Sequence, residues 1–439
     1  MDVRIFGNNA LQLFGAGDVV NYGGDGTAAN AGQYDVNNNS RVTPYGTLAP
    51  EIKSFYDTAL IRLAGPNLVH DQFGQKRPIP QGNGRTVEFR RFSKLPKALT
   101  PITEGVTPTG NKMRVTAINA ALNQYGDYIE QTDLLNLIAI DPVKSEAATE
   151  LADQAGATLD TVVREVLVGG TNVMYAPSVS GSTVTPVTSR SAITSACRLR
   201  MKDVFLAAAE LAAVNAPKIN GNYVAIIHPY IATDLMTEAG DAWIDVHKYK
   251  NPEAIYNGEI GTLAGVRFVL STEAKVWGPD VIADGLSRLT VSDNASSAAT
   301  TVYVTGELTA AASCSIPCYI NGVANTITAI TPGTGKTALT VTALSANVSA
   351  GATVCGQGGG TDGSAVFATM FLGANAYGST SLEGGGLEYI AKQLGYGNDP
   401  LNQRSSQGWK ATKGAVRLVE EYMIRYESGS EFSDHAESN

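Results

Sequence analysis

The stretch from Arg85 to Asp133 constrains this chain most, because it describes an element that is not stable by itself. Its first arm, Thr86-Val87-Glu88-Phe89-Arg90-Arg91-Phe92, and its second, Lys112-Met113-Arg114-Val115-Thr116-Ala117, tend to alternate polar and apolar residues at the two-residue period of a strand. Between them Pro96, Pro101 and Pro108 remove ladder donors, and Gly105 and Gly110 free the backbone, so the spacing predicts a hairpin with a long, kinked connection. A two-stranded ribbon is marginal in water, having no second layer on which to bury its apolar face. Two coverings are open: the ribbon's own domain, or a neighbouring copy of the chain.

Charge bears on that choice. Residues 70–99 hold seven basic side chains (Lys76, Arg77, Arg85, Arg90, Arg91, Lys94, Lys97) against Asp71 and Glu88, a local balance of +5, whereas the whole chain is −9 and the remainder therefore −14. A basic ribbon on an acidic body suits a contact between copies. Net acidity argues against a general nucleic-acid binder, which neutralises phosphates with Lys and Arg, yet it suits a protein that surrounds nucleic acid without adhering to it.

At 439 residues the chain has room for two or three domains, and its low charged fraction (17%) and 46 glycines favour β structure and long loops. No apolar run approaches the ~20 residues of a bilayer crossing, and no basic start followed by an apolar run marks a signal peptide. The expected place of assembly is the cytoplasm. Cys197, Cys314, Cys318 and Cys355 are too few for a disulfide scaffold and lack paired CxxC spacing, so reduced thiols are expected.

Taken in order, residues 1–47 are rich in Gly and Asn and read as an arm, either disordered or laid along a partner. Ile52, Phe55, Tyr56, Ala59, Leu60 and Leu63 recur at helical spacing until Gly65-Pro66. Asp141-Pro142 opens a second helix whose apolar face (Ala148, Leu151, Ala155, Leu159, Val162, Val166) runs to Gly169-Gly170, roughly 40 Å at 1.5 Å per residue. From Lys202 the pattern is α/β: a helix over VFLAAAELAAVNA, an Asn220-Gly221 turn, a strand at YVAII, a helix over YIATDLM and a strand at VRFVLS. Residues 286–362 then carry only five charges and alternate Thr, Val and Ala between turn residues, which predicts a small all-β module; α/β text resumes at AVFATMFLG. Ala415 to Glu427 reads as one long strand, and SGSEFSDHAESN as a solvated tail.

The motifs that promise chemistry fail in detail. Thr331-Pro-Gly-Thr-Gly-Lys336-Thr337 mimics a phosphate loop, but Ile330 stands where the first glycine belongs and a strand-like ALTVTAL follows instead of a helix. Asp35-Val36-Asn37-Asn38-Asn39 mimics a calcium loop, but Ser40 and Gly46 replace its glycine and glutamate. His70, His228, His247 and His435 lack metal-ligand spacing, and His228 reads as structural. Asp127, Glu130 and Asp133 read as ion-pair partners for the basic residues upstream. No enzyme, cofactor or metal is expected. The other classes weighed are a P-loop-like NTPase around Lys336 and a β-rich surface adhesin, which would need a secretion signal.

Four stretches in order, LVHDQFGQKRPIPQGNGRTVEFRRF, EGVTPTG, LNQYGDYIEQTD and GNDPLNQRSSQGWK, give the chain a resemblance. It resembles the major capsid proteins of tailed bacteriophages with the HK97-like fold, in particular a podophage-type family. The resemblance implies an α+β capsid fold: an N-terminal arm (1–50), a short helix (51–69), an extended loop (70–133), a peripheral domain (134–199) with a spine helix at 142–168, an axial domain in two parts (200–285 and 363–405), and a peripheral strand and tail (406–439). The small all-β domain at 286–362 would be an insertion. It further implies a virion protein, a homo-oligomer forming pentamers and hexamers of an icosahedral shell around double-stranded DNA, with scaffolding, portal and decoration proteins as partners and no membrane. In that setting the ribbon is covered by a neighbour. The intersubunit contacts expected on the loop are Arg85, Arg90, Arg91, Lys94 and Lys97 meeting acidic groups of another copy, with Glu104 at the tip.

Overall fold

The computed structural model describes residues 34–35, 40–41 and 69–439, apart from 83, 103, 108–109, 139–142, 182, 240–243, 246–258, 384–386, 396–400 and 435. The arm over 1–50 therefore lies outside the described residues, save for the two-residue strands Tyr34–Asp35 and Ser40–Arg41, which pair antiparallel. So do the helix expected from residue 51 and the Asp141-Pro142 cap.

The predicted strand Tyr223–Ile227 is buried at all five positions. A strand reads this way when both faces of its sheet are covered. It lies in the middle of an eight-stranded mixed sheet, parallel to Val266–Leu270 on one side and antiparallel to Val366–Leu372 on the other. Alternation then sorts side chains to two cores. Ala225, Ile227, Phe268, Phe371 and Ile424 meet the helices Met201–Ala213 and Pro229–Ala239, while Val224, Ile226, Val269, Met370 and Met423 meet Val163, Leu167 and Val168 of the long helix. Asn220 and Gly221 turn the chain into this strand with φ of 49° and 87°, the left-handed pair a tight two-residue turn needs.

The long helix spans Val143–Val168, about 39 Å at 1.5 Å per residue. Its earlier half packs on a second sheet through Leu151, Ala155 and Leu159 against Trp409 and Ala411. That sheet is built on the 14-residue strand Arg404–Arg417, which pairs antiparallel with Asn123–Thr132, Glu388–Lys392 and Tyr377–Thr380.

Two expectations near the end of the chain are corrected here. The single strand over 415–427 is the end of Arg404–Arg417 and a separate strand, Met423–Ser428, divided by the 3-10 turn Glu420–Tyr422. The second of these strands lies in the central sheet, antiparallel to Val366–Leu372 and parallel to Val173–Tyr175. The tail is solvated only in part: Ser428, Ser430 and Ser433 are fully buried, with Ser433 Oγ donating to the Ala365 carbonyl (2.9 Å), while Glu431, Asp434 and Glu437 are exposed. Strands Tyr377–Thr380 and Glu388–Lys392, grouped with the axial domain by the resemblance, pair antiparallel with the long strand.

Residues 288–356 form a six-stranded antiparallel sheet with its own core, including Val302, Val304, Cys318, Ile320, Ile327, Leu339 and Val354. Val291 bridges Val304, joining the first strand to the last and closing the sheet into a small barrel.

Candidate intersubunit surface

The hairpin forms between Thr86–Phe92 and Val115–Ala121, in a register that opposes Thr86 to Ala121 and Phe92 to Val115. The second arm starts three residues later than the alternation predicted and runs on to Ala121. The ribbon's own subunit covers only part of it. At its base, Phe89 and Ala120 are buried with Leu418 and Val419. Gly378 makes room for this, since a Cβ there would lie 2.7 Å from the Phe89 ring. Beyond the paired strands no such layer occurs among the described residues. Leu99 and Ile102 are 82% and 78% exposed, and Leu95, Val106 and Met113 are likewise open. An apolar row on a projecting loop marks a surface made to be covered by something else.

The structure divides the six expected contact residues. Arg85 is used within the chain: its Nε donates to the Leu122 carbonyl (2.6 Å) and its Nη2 to Asn123 Oδ1 (2.7 Å), fastening the corner where the hairpin turns into the next strand. Arg90 pairs with Glu88 two positions away on the same face (2.7 Å), an exposed pair of small energetic weight. Strand alternation places Arg91 on the opposite face from Arg90, on the side of Phe89. Arg91, Lys94 and Lys97 enter no ion pair among the described residues, and with Lys112 and Arg114 they outnumber Glu104 along the exposed loop. Asp127, expected to neutralise upstream cations, instead accepts a hydrogen bond from Gln154 Nε2 (2.7 Å), and that bond holds its carboxyl below the usual range. Asp133 accepts from the Leu134 amide. The basic charge of the ribbon is thus left unanswered by these carboxylates.

No side chains gather into reactive chemistry among the described residues. Lys336 opens a strand just after a tight turn at Gly335 (φ 74°), with Nζ 2.6 Å from Asp293 Oδ2 and 4.8 Å from the Tyr303 ring centre. That is a hairpin lysine on a barrel surface, not a phosphate cradle. Burial pushes the Cys318 thiol up to about 12 and the Cys355 thiol up to about 11, so neither supplies a thiolate at neutral pH. All four cysteines are free. No group of three metal-ligating side chains occurs among the described residues, and no described helix is long and apolar enough to cross a membrane. A cavity of about 480 Å³ beside Pro229–Ala239 is lined by charged groups that satisfy one another: Arg198 with Glu431 (3.4 Å), and Asp234 with the Glu431 amide (3.1 Å).

Sequence reasoning missed the pair that anchors the loop to the helix. His70 Nδ1 lies 2.6 Å from Asp160 Oδ2 and the His70 amide donates to Asp160 Oδ1 (2.7 Å), with both residues buried. Tyr377 donates its hydroxyl to the His70 carbonyl. The available signal was an aspartate among Leu159, Val162 and Val163 of a long helix, which requires a partner where it is buried.

The arrangement of a long helix across two sheets, with a long ribbon leaving one of them, is an α+β capsid-protein fold. The chain is similar to the capsid of Ralstonia phage GP4, at 12% identity over 89% of this chain and 98% of that one, with a TM-score of 0.51. It is also similar to the capsid structure of the cyanophage P-SCSP1u, at 13% identity over 90% and 97% of the two chains, TM-score 0.49. At such identities the likeness is one of fold, and the first comparison carries it. No family model matches the sequence, and no curated protein is similar to it.

Proposed function

We propose that this chain is the major shell subunit of a tailed-phage head, a virion protein whose activity is assembly and not catalysis. The observation that carries the reading is the extended loop. Its base is buried in its own subunit, while its distal part, basic and apolar together, is exposed among the described residues. A closed lattice of identical copies supplies that covering at every position, and repetition turns individually weak contacts into a stable shell.

The finer assignment follows the HK97-like, podophage-type plan. Residues 1–50 are the arm, 70–133 the extended loop, and the helix within 134–199 the spine. Residues 200–285 with 363–376 and the strand Met423–Ser428 form the axial part, 377–417 belong to the peripheral part, and 286–362 are an inserted all-β domain. Pentamers and hexamers enclose double-stranded DNA without sequence-specific contacts, and scaffolding, portal and decoration proteins are the other partners. Of the six loop residues, Arg91, Lys94 and Lys97 are the free cations that meet a neighbour's acidic groups, with Glu104 at the tip. Arg85 and Arg90 shape the ribbon that presents them.

Replacing Arg91, Lys94 and Lys97 together by Glu tests this. The variant is expected to be soluble, with an unchanged circular dichroism spectrum, and to sediment as unassembled subunits. Shells of ordinary size in electron micrographs of the variant would overturn the role given to these side chains.

A further inference from the structure

The two crossings between the barrel and the central sheet are packed backbone on backbone. On the inbound side the Asp280 amide donates to the Gln357 carbonyl (2.9 Å), and on the outbound side the Gly356 amide donates to the Ser287 carbonyl (3.1 Å). A Cβ on Gly356 would lie 2.0 Å from the Asp280 carbonyl oxygen, and one on Gly360 would lie 2.1 Å from that of Ile193. The run GQGGGTDG is therefore a junction without room for side chains and not a flexible linker.

Across this junction lies residues 428–439, a polar segment that touches both crossings. Ala365 beyond the outbound crossing and Ser433 exchange main-chain and side-chain hydrogen bonds (3.0 and 2.9 Å). Gly278 before the inbound one donates to Ser438 Oγ (2.8 Å), and Val276 donates to Asn439 Oδ1 (2.9 Å). From the barrel side Arg288 completes the arrangement: Nε donates to the Gly363 carbonyl (2.7 Å), and Nη2 to the carbonyls of Ser433 (3.1 Å) and Ala436 (3.3 Å).

We propose that residues 428–439 are a strap that fixes the barrel in one orientation on the central sheet, with Arg288 as the barrel residue that receives it. The strap is held mainly by hydrogen bonds and contributes few apolar side chains. Its attachment is thus weaker than the cores it joins, and it is built to dock after both have formed and to release without unfolding either. In its released state the packing at the crossings near 280 and 357 loosens while both cores stay folded.

Hydrogen exchange on the full-length protein tests this with two variants acting from opposite sides. Arg288→Ala removes the receiver, and Ser433→Asp places a charge where the strap is buried, outside the barrel. In each, the amides of Asp280, Gly360 and Ala365 are expected to exchange at least about tenfold faster. Those of Val302 and Leu339 in the barrel, and of Val224 to Ile227 in the central sheet, keep their protection. Unchanged exchange at the crossings in Ser433→Asp, or loss of barrel protection in that variant, would overturn the proposal whatever Arg288→Ala does.

Discussion

His228 precedes Pro229 at the start of the helix Pro229–Ala239, and its Nδ1 accepts the Tyr230 amide (3.2 Å), so the imidazole serves as an N-cap in front of a first-turn proline. Burial beside Phe367 pushes its pKa down to about 4 from the ordinary 6.5. The folded state therefore takes up this proton later than the unfolded chain. The associated stability is complete above about pH 6.5 and is lost as pH falls towards 4, about 3 kcal/mol in all. His228→Asn keeps a capping acceptor without a titrating group, and its urea midpoint is expected to stay flat between pH 6.5 and 4.5 where that of the native chain falls. The buried pair is a second test at this scale: Asp160→Ala leaves the His70 amide and ring nitrogen without acceptors and is expected to cost about 3 kcal/mol, read from the denaturation midpoint. A proline after His228 pointed to the helix start in the sequence. The pairing of residues 70 and 160 did not show, because nothing local links two positions ninety residues apart.

Among the elements, the long helix was legible from its stripe of apolar residues, but its ending was only partly so. Gly169 and Gly170 mark the stop as predicted, and the side chains of Arg417 and Glu420 come in close beside them. Arg417 donates to the Val166 carbonyl (2.7 Å) and Arg425 to those of Val168 and Gly170, so the open carbonyls at the helix end are capped by arginines some 250 residues further on. The hairpin was legible too, through strand alternation, but alternation says only which residues share a face and not how far the face is covered. Gly378→Val tests the coverage at the base. The added side chain displaces Phe89, whose burial is worth about 2–3 kcal/mol, and the ribbon is expected to become sensitive to trypsin at Arg85, Arg90 and Arg91. A ribbon still resistant to cleavage would show that Phe89 does not hold it.

At the scale of the molecule, the barrel and the central sheet have separate cores, and the barrel's ends come together where Thr290 pairs with Thr353. Joining these two residues through a short glycine turn is expected to leave the central sheet's thermal transition in place and remove a second one, by differential scanning calorimetry; loss of all cooperative unfolding would contradict the separation. The kinds of element, the compositional edge of the barrel near 286 and 362, and the excess of basic charge on the ribbon were all legible before any contact was known. Each of these is a property of neighbouring residues and needs no distant partner. Long-range packing settled three further points: that the last strand crosses from one sheet to another, that the final segment docks with Ser430, Ser433 and Ala436 buried, and that Arg85 and Arg90 have partners within the chain while Arg91, Lys94 and Lys97 enter no ion pair among the described residues. Those outcomes depend on which segments far apart along the chain meet, and burial of a polar segment becomes favourable only once its hydrogen-bond partners are already in place.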